Sequence, residues 1–501
     1  MNLEIDTQSN IPAYLQICHQ LRDQILQGDI PTGTQLPPER TLASALGVSR
    51  STIVNAYGEL KAEGLATGYV GRGTIVETPP THLGSHPIAW PVHLSALGHR
   101  LTQYPHTADL PALRLSGRPD VVSFALGLPD TDLIPPDRLA VAWQAIVERF
   151  GPTAINMCPP QGLPAVREAI ARRMERRGTT VAPEHIIVVN GSQHGLDLLL
   201  RLLVEPGDTI LSEVPTYFGA LRCFQTWGAR IIGVPVDERG MDVARVESLL
   251  ARYHPKFIYT VPTYQNPTGA TMSLERRQRL LALAQQYQVP IVEDDPFSDL
   301  YFDDPPPPPI KALDRHGHVL YLSTFSKSLA PGLRVGWLAA ARPIVQHAAL
   351  LNQITELQPN TIGQHLVVEF ARRGWLEDQI VQARAAYKER CAAMDATLKR
   401  RRAPGLRWTS PTGGMFLWLH LPEAITAREL LEESARQGAI FLPGDLMHLS
   451  DGHSNTCRLN FSIPDPPAIE RGITAMMTAL KKLLDRPDET GRTRAMTDTI
   501  V

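Results

Sequence analysis

The sequence contains no run approaching the ~20 consecutive apolar residues of a membrane span, and residues 1–6 lack the basic and apolar regions of a secretory leader. Neither a transmembrane nor an exported protein is expected, and the cytoplasm is the expected compartment. Cysteine is sparse. Cys18, Cys158, Cys223, Cys391 and Cys457 are odd in number, widely spaced and without a C-x-x-C pair, which argues against a disulfide framework or a zinc knuckle. Charge of one sign is also missing: 49 Lys and Arg stand against 51 Asp and Glu, a net of -2, so nothing global attracts a polyanion. No fixed-period repeat occurs, and Pro305 to Pro309 reads as a short rigid loop.

What remains is a chain of 501 residues, 43% hydrophobic and 20% charged, too long for one core and sufficient for about three domains. Its most informative stretch is Ser323-Thr-Phe-Ser-Lys327-Ser-Leu-Ala-Pro-Gly-Leu-Arg334. The apolar run Val319-Leu-Tyr-Leu322 precedes it, so a lysine sits just past the C-terminal end of a buried strand, where open α/β sheets bind ligands. A lysine beside hydroxyls, with an arginine seven residues on, suits pyridoxal 5'-phosphate (PLP): Lys327 offers the amine for its aldehyde, and Thr324 and Arg334 suit its phosphate. A surface lysine in a Ser-rich turn is the plainer alternative.

Other groups that PLP needs occur at the ends of further strand-like runs. Behind Ile186-Ile-Val-Val189, Asn190-Gly-Ser-Gln193 leads into an apolar helix whose free backbone N–H groups suit an anion, making Ser192 and Gln193 phosphate candidates. Asn266 offers an amide to a phenolic oxygen. Asp294, after Val289-Pro-Ile-Val-Glu293, offers a buried carboxylate to a pyridinium nitrogen, and Tyr217 offers a stacking face. Runs at 209–211, 231–234 and 257–261 alternate with helical stretches such as 193–203 and 274–287, the rhythm of a mostly parallel sheet with crossovers.

The N-terminal region reads differently. Residues 11–27 carry Leu15, Cys18, Leu21, Ile25 and Leu26 near helical spacing; 39–46 predict a second helix, and Ser49 is a candidate N-cap for a third over 50–63 with an inner stripe of Ile53, Val54, Tyr57 and Leu60. Residues 65–69 and 74–77 flank Val70-Gly-Arg-Gly73 as a hairpin, completing a winged helix-turn-helix. Residues 1–77 carry five Lys/Arg against eight Asp/Glu, net -3, so modest DNA affinity per domain and reliance on a dimer bridging two half-sites are expected. From 78 to 119 prolines recur and periodicity fades, as in a linker. Its His82, His86, His93, His99 and His106 are not expected to hold a metal, because an irregular segment promises no fixed ligand geometry.

The segments Leu36-Pro-Pro-Glu-Arg40, Leu46-Gly-Val-Ser-Arg50-Ser-Thr52, Tyr57-Gly-Glu-Leu60 and Gly71-Arg-Gly-Thr74 resemble the GntR family of bacterial DNA-binding domains. The resemblance implies that Arg40, Ser49, Arg50, Ser51, Thr52, Tyr57 and, on the wing, Arg72 face double-stranded promoter DNA. Over about 120–484 the chain resembles fold-type I aminotransferases of the kynurenine and 2-aminoadipate subgroup. That resemblance implies an internal aldimine at Lys327, Asp294 and Asn266 on the PLP ring, Ser192, Gln193, Thr324, Ser326 and Arg334 around its phosphate, and Tyr217 stacked on it. It also implies Arg458, in Thr456-Cys-Arg-Leu-Asn460, on a substrate α-carboxylate, and a smaller C-terminal α/β domain over about 346–484. Residues 485–501 read as a polar, disordered tail.

Together these parts, with Phe124-Ala-Leu-Gly127-Leu-Pro-Asp130 at the start of the body, resemble the MocR family of bacterial transcriptional regulators. That resemblance implies a head-to-tail homodimer that senses an amino compound through the Lys327 aldimine. Two departures from the family pattern stand out: Met157 and Phe297 occupy places where tyrosines are usual. Both favour sensing over turnover. An active aminotransferase with an accessory DNA-binding domain, and a sensor of PLP itself, are the alternatives.

Overall fold

The computed structural model describes residues 3–6, 9, 11–69, 71–78, 88–104, 110–449 and 455–486. Val70 at the hairpin tip, the linker residues His82, His86 and His106, and the expected tail beyond 486 lie outside the described residues. The chain divides into two compact units, Met1–His99 and Arg100–Val501.

In the first unit, helices Ala13–Gln27, Glu39–Leu46 and Arg50–Ala62 precede the antiparallel strands Ala66–Tyr69 and Gly73–Val76. Leu21, Ile53, Ala56, Tyr57 and Leu60 share one apolar core. The third helix begins where the Ser49 hydroxyl accepts from the Thr52 backbone N–H at 3.2 Å, satisfying one of its orphan donors. Val54 is 42% exposed and Leu26 58%, so neither belongs to the inner stripe expected of it. Ile53, Tyr57 and Leu60 are buried as expected, and Ala56 completes their i, i+3, i+4, i+7 face, with Ile17 doing the same for the first helix. Part of the expected linker is ordered as short helices, Trp90–His93, Ala96–Arg100 and the 3-10 turn Pro111–Leu115.

The second unit is built on an eight-stranded sheet. Its spatial order is Ile186–Val189, Gly336–Ala339, Val319–Thr324, Ile291–Asp294, Phe257–Thr260, Thr209–Val214, Arg230–Asp237, Gly240–Met241. Neighbours from Val319–Thr324 through to Arg230–Asp237 are parallel, while Gly336–Ala339 runs antiparallel to both of its neighbours. Strands such as Ile186–Val189, Ile291–Asp294 and Val319–Thr324 are buried along their whole length, as expected of a sheet covered by helices on both faces.

A second, antiparallel sheet joins Arg407–Trp408, Phe416–His420, Thr456–Asn460 and Leu442–Pro443. The short strand Val122–Ser123 pairs in parallel with Ala439–Ile440, which stitches the beginning of the unit to its C-terminal part. The segment that follows, residues 124–130, is thereby carried over the C-terminal ends of the parallel strands. Asp130 anchors its far end through an ion pair with Arg390 at 2.7 Å and by donating its backbone N–H to the Tyr387 hydroxyl oxygen at 3.0 Å.

Candidate functional site

All ten body residues singled out from sequence line one cavity of about 340 Å³: Ser192, Gln193, Tyr217, Asn266, Asp294, Thr324, Ser326, Lys327, Arg334 and Arg458. They converge because the strands deliver them. Asp294 and Thr324 are the last residues of adjacent parallel strands, and Lys327 stands three residues beyond the second. Ser192 opens the helix Ser192–Leu203 immediately after Ile186–Val189.

At the floor, the Tyr259 hydroxyl donates to Asp294 Oδ2 at 2.8 Å, while Asp294 Oδ1 is buried without a partner. Burial pushes the Asp294 carboxyl up to about 7, opposed by the Tyr259 hydrogen bond. An opposite charge set against the bare oxygen would bring it down again. Lys327 Nζ donates to the Gly127 carbonyl at 2.6 Å. Burial, then repulsion from Arg458, lowers its amine to about 8, so a larger fraction than in an ordinary lysine is neutral and nucleophilic near physiological pH.

At one end of the cavity Gly191, at φ 89°, caps the helix; a Cβ there would lie 2.7 Å from Arg334 Nη2. Arg334 itself is held at φ 52°, a conformation uncommon for a residue with a side chain, and donates to the Asn190 carbonyl at 2.6 Å. A helix N-terminus with a guanidinium against it makes an anion cradle. Thr324 Oγ1 and Ser326 Oγ share a hydrogen bond of 2.9 Å beside it. Gln193 points its Nε2 to the Gly219 carbonyl at 3.1 Å and leaves Oε1 buried without a partner.

At the other end Arg458 is 2% exposed. It donates to Asn266 Oδ1 at 2.9 Å and to the Ala125 carbonyl at 2.8 Å, and its guanidinium lies 4.1 Å from the centre of the Phe416 ring. No carboxylate pairs with it among the described residues, Nε is unpartnered, and burial lowers its affinity for its own proton. A buried cation with only neutral partners favours an incoming carboxylate.

Sequence reasoning did not assign Tyr259, the carbonyls of Gly127 and Ala125, or Phe416 to this site. A tyrosine in the buried strand Phe257–Thr260 was the available signal, since a buried hydroxyl needs a partner. Met157 is 65% exposed and does not line the cavity of its own chain.

On the N-terminal unit, Ser49, Arg50 and Ser51 are exposed together at the start of the third helix, with Thr52 half-buried behind them, and Arg40 and Arg72 are exposed. Arg50 is paired with Glu39 at 2.9 Å, an exposed pair that costs little to exchange for another anion. Tyr57 does not face outward. Its ring is 1% exposed and its hydroxyl donates to the Pro37 carbonyl at 2.8 Å, so Tyr57 is a core residue and leaves the expected DNA-facing set.

The architecture defines a class: a winged helix followed by an aminotransferase-type α/β body with a lysine, an aspartate and an anion cradle in one cavity. Residues 119–476 match the model of aminotransferase class I and II, and residues 13–76 that of bacterial regulatory proteins of the gntR family. The uncharacterized HTH-type transcriptional regulator YisV of Bacillus subtilis (strain 168) is 32% identical over 480 residues, 95% of this chain and 97% of that one. The probable rhizopine catabolism regulatory protein MocR of Rhizobium meliloti is 30% identical over 490 residues, 96% of each. The crystal structure of Pyrococcus horikoshii kynurenine aminotransferase in complex with PMP superposes with a TM-score of 0.73 at 35% identity, covering 77% of this chain and 96% of that one. The chain belongs to the aminotransferase class I and II family and, with its GntR-type unit, to the MocR-type DNA-binding transcriptional regulators. The implied cofactor is pyridoxal phosphate, and the bare Asp294 oxygen, the Gly191–Arg334 cradle and the Lys327 amine are a donor set that fits it.

Proposed function

We propose that this protein is a cytoplasmic, homodimeric regulator that binds promoter DNA through its winged helix and responds to an amino compound that reaches Lys327. In this reading Lys327 holds PLP covalently, Asp294 faces the ring nitrogen, Asn266 the phenolic oxygen and Tyr217 the ring. Ser192, Gln193, Thr324, Ser326 and Arg334 surround the phosphate. The cofactor supplies an aldehyde with which primary amines condense reversibly. Arg458 takes the α-carboxylate of the incoming compound, and its buried, carboxylate-free setting in the same cavity as Lys327 is the observation that carries the reading. Exposed Ile155, Met157, Leu350 and Ile354 support a face covered by a second copy. Arg40, Ser49, Arg50, Ser51, Thr52 and Arg72 form the DNA face, and the boundaries 1–77, 78–119 and 120–484 stand as the proposed domains.

The test is a gel shift on the promoter upstream of this gene or its neighbour, with the PLP-loaded full chain. Arg50→Ala and Arg72→Ala should each weaken binding, by ~1 to 3 kcal/mol for an arginine that reads a base, with the visible spectrum intact. Unchanged midpoints for both remove the DNA-face assignment. An active aminotransferase is the second reading, favoured by the full set of cavity residues. Rapid multiple-turnover transamination by the wild type would establish it instead.

A further inference from the structure

Every charged side chain lining the cavity has a task once the proposed function is accepted. Asp294 lies at the floor beside Tyr259, Lys327 bears the amine, Arg334 adjoins the helix N-terminus at Gly191, and Arg458 is the buried cation. Apart from these four, the described lining residues include no Asp, Glu, Lys, Arg or His. Apart from Asn266, which accepts from Arg458, the wall beside Arg458 is built of aromatic rings and a glycine. Phe416 lies under its guanidinium, and Phe297 packs edge-on against Phe416 with ring centres 5.5 Å apart. Gly127 crosses so close that a Cβ on it would lie 3.1 Å from Phe416 Cζ and 3.6 Å from Arg458 Nη2.

On either side of Gly127 stand Leu126 and Leu128, both cavity-lining and respectively 43% and 40% exposed. The segment is tied down on the cavity side by its backbone alone. Ala125, Gly127 and Leu128 give their carbonyls to Arg458, Lys327 and the Ser462 hydroxyl. Its leucine side chains, Leu126 and Leu128, line the cavity.

We infer that the effector is an α-amino acid with an apolar side chain, aliphatic or aromatic, selected by a wall of Leu126, Leu128, Phe297 and Phe416. This rests on the reading that Arg458 takes the α-carboxylate while Lys327 marks the amine end. With both ends so placed, the side chain meets this wall. Among the described lining residues, a second carboxylate would be taken out of water against Phe297 and Phe416 with no cation left for it, and a second ammonium would find no carboxylate but Asp294 at the floor. An aliphatic or aromatic side chain loses nothing polar there and removes the two leucines from water.

The experiment is a visible-absorbance titration of the PLP-loaded full chain with L-leucine, L-phenylalanine, L-glutamate, L-lysine and butylamine. Leucine or phenylalanine should half-saturate at a concentration at least about tenfold below glutamate, lysine and butylamine, in line with the discrimination that apolar pockets achieve. Glutamate or lysine binding as tightly as either would overturn the inference while leaving amine sensing intact. Butylamine binding as well as leucine would remove the carboxylate role of Arg458. A spectrum that no amine changes would sink the functional reading beneath it. Leu128→Arg, at a position 40% exposed, should move the preference toward glutamate and weaken leucine binding. An unmoved glutamate-to-leucine ratio in that variant would exclude the wall as the selector.

Discussion

Lys327 and Phe297 are where single side chains set measurable behaviour. An ordinary lysine holds its proton up to 10.5, but burial and the Arg458 charge bring Lys327 down to about 8. Its neutral fraction therefore rises as pH increases through about 8, and the rate at which apo-protein takes up PLP should climb through that value and level off above it. Stopped-flow absorbance across pH 6 to 10 reads this directly, in ~half-unit steps around the amine's titration. A rate still climbing at pH 10 would mean that the amine is not so perturbed. Phe297 is 2% exposed and lines the cavity, yet it can donate no hydrogen bond. Phe297→Tyr introduces a donor, which stabilises the deprotonated form of the lysine-linked chromophore. Hydrogen bonds to charged groups contribute about 1.5 to 3 kcal/mol, and one pKa unit is about 1.36 kcal/mol, so the midpoint of the absorbance titration should fall by about one unit or more. An unmoved midpoint would show that the hydroxyl does not reach the chromophore. At this scale most of the site was legible, because Lys327, Asp294, Arg334 and Arg458 carry chemistry in their side chains. The carbonyls of Gly127 and Ala125 were not, since a backbone acceptor has no residue type to betray it. Tyr57 was misassigned because resemblance fixes a position in a motif and not the direction in which its ring points.

Among the elements, residues 124–130 are held by interactions that no local pattern encodes. The pairing of Val122–Ser123 with Ala439–Ile440 and the ion pair of Asp130 with Arg390 join residues more than 250 positions apart, so neither the short strand nor its partner announced itself. The four-residue strand Gly336–Ala339 was hidden for a different reason: it follows the lysine motif directly and reads as its continuation. By contrast, the helix Leu274–Tyr287 and the strand Ile186–Val189 matched their expected limits, because each is long enough or apolar enough to decide its own state. The anchor of the segment is testable. Asp130 and Arg390 side chains are 8% and 12% exposed, and Asp130→Ala strands the guanidinium with the Ser462 carbonyl as its remaining partner. Breaking such a pair costs about 3 kcal/mol, or about a hundredfold in a local opening equilibrium. Hydrogen exchange at the Val122 and Phe124 amides, which donate to Gly438 at 2.8 Å and Ile440 at 2.7 Å, should accelerate by about that factor. Exchange unchanged at both amides would mean that the strand pairing, not the ion pair, holds the segment.

For the whole molecule, the question is whether chemistry in the cavity and DNA binding are coupled at all. The two units are separately compact, so each folds its own site, and coupling has to be demonstrated as a free energy between them. If an amine changes the affinity for the promoter by some factor, the promoter must change the affinity for the amine by the same factor. A ligand shifts the equilibrium only through its different affinity for the two states, and a coupling of about 1 to 3 kcal/mol, roughly 5- to 150-fold, is the usual range. The prediction is therefore paired. Titrating the PLP-loaded full chain with L-leucine or L-phenylalanine, with and without saturating promoter DNA, should give half-saturation points that differ by the factor measured in the gel shift with and without that amino acid. Lys327→Ala removes the amine that the cavity keeps near pKa 8 and lies in the unit that carries no part of the winged helix. It should lose the visible absorbance of the lysine-linked cofactor and the amino-acid dependence of both titrations, while its DNA midpoint without amino acid stays within about twofold of wild type, the scatter of a change worth less than ~0.5 kcal/mol. A Lys327→Ala protein whose DNA midpoint still responds fully to the amino acid would place the switch elsewhere. Two unequal factors in the wild type would mean that the DNA and the amino acid act on different states of the chain.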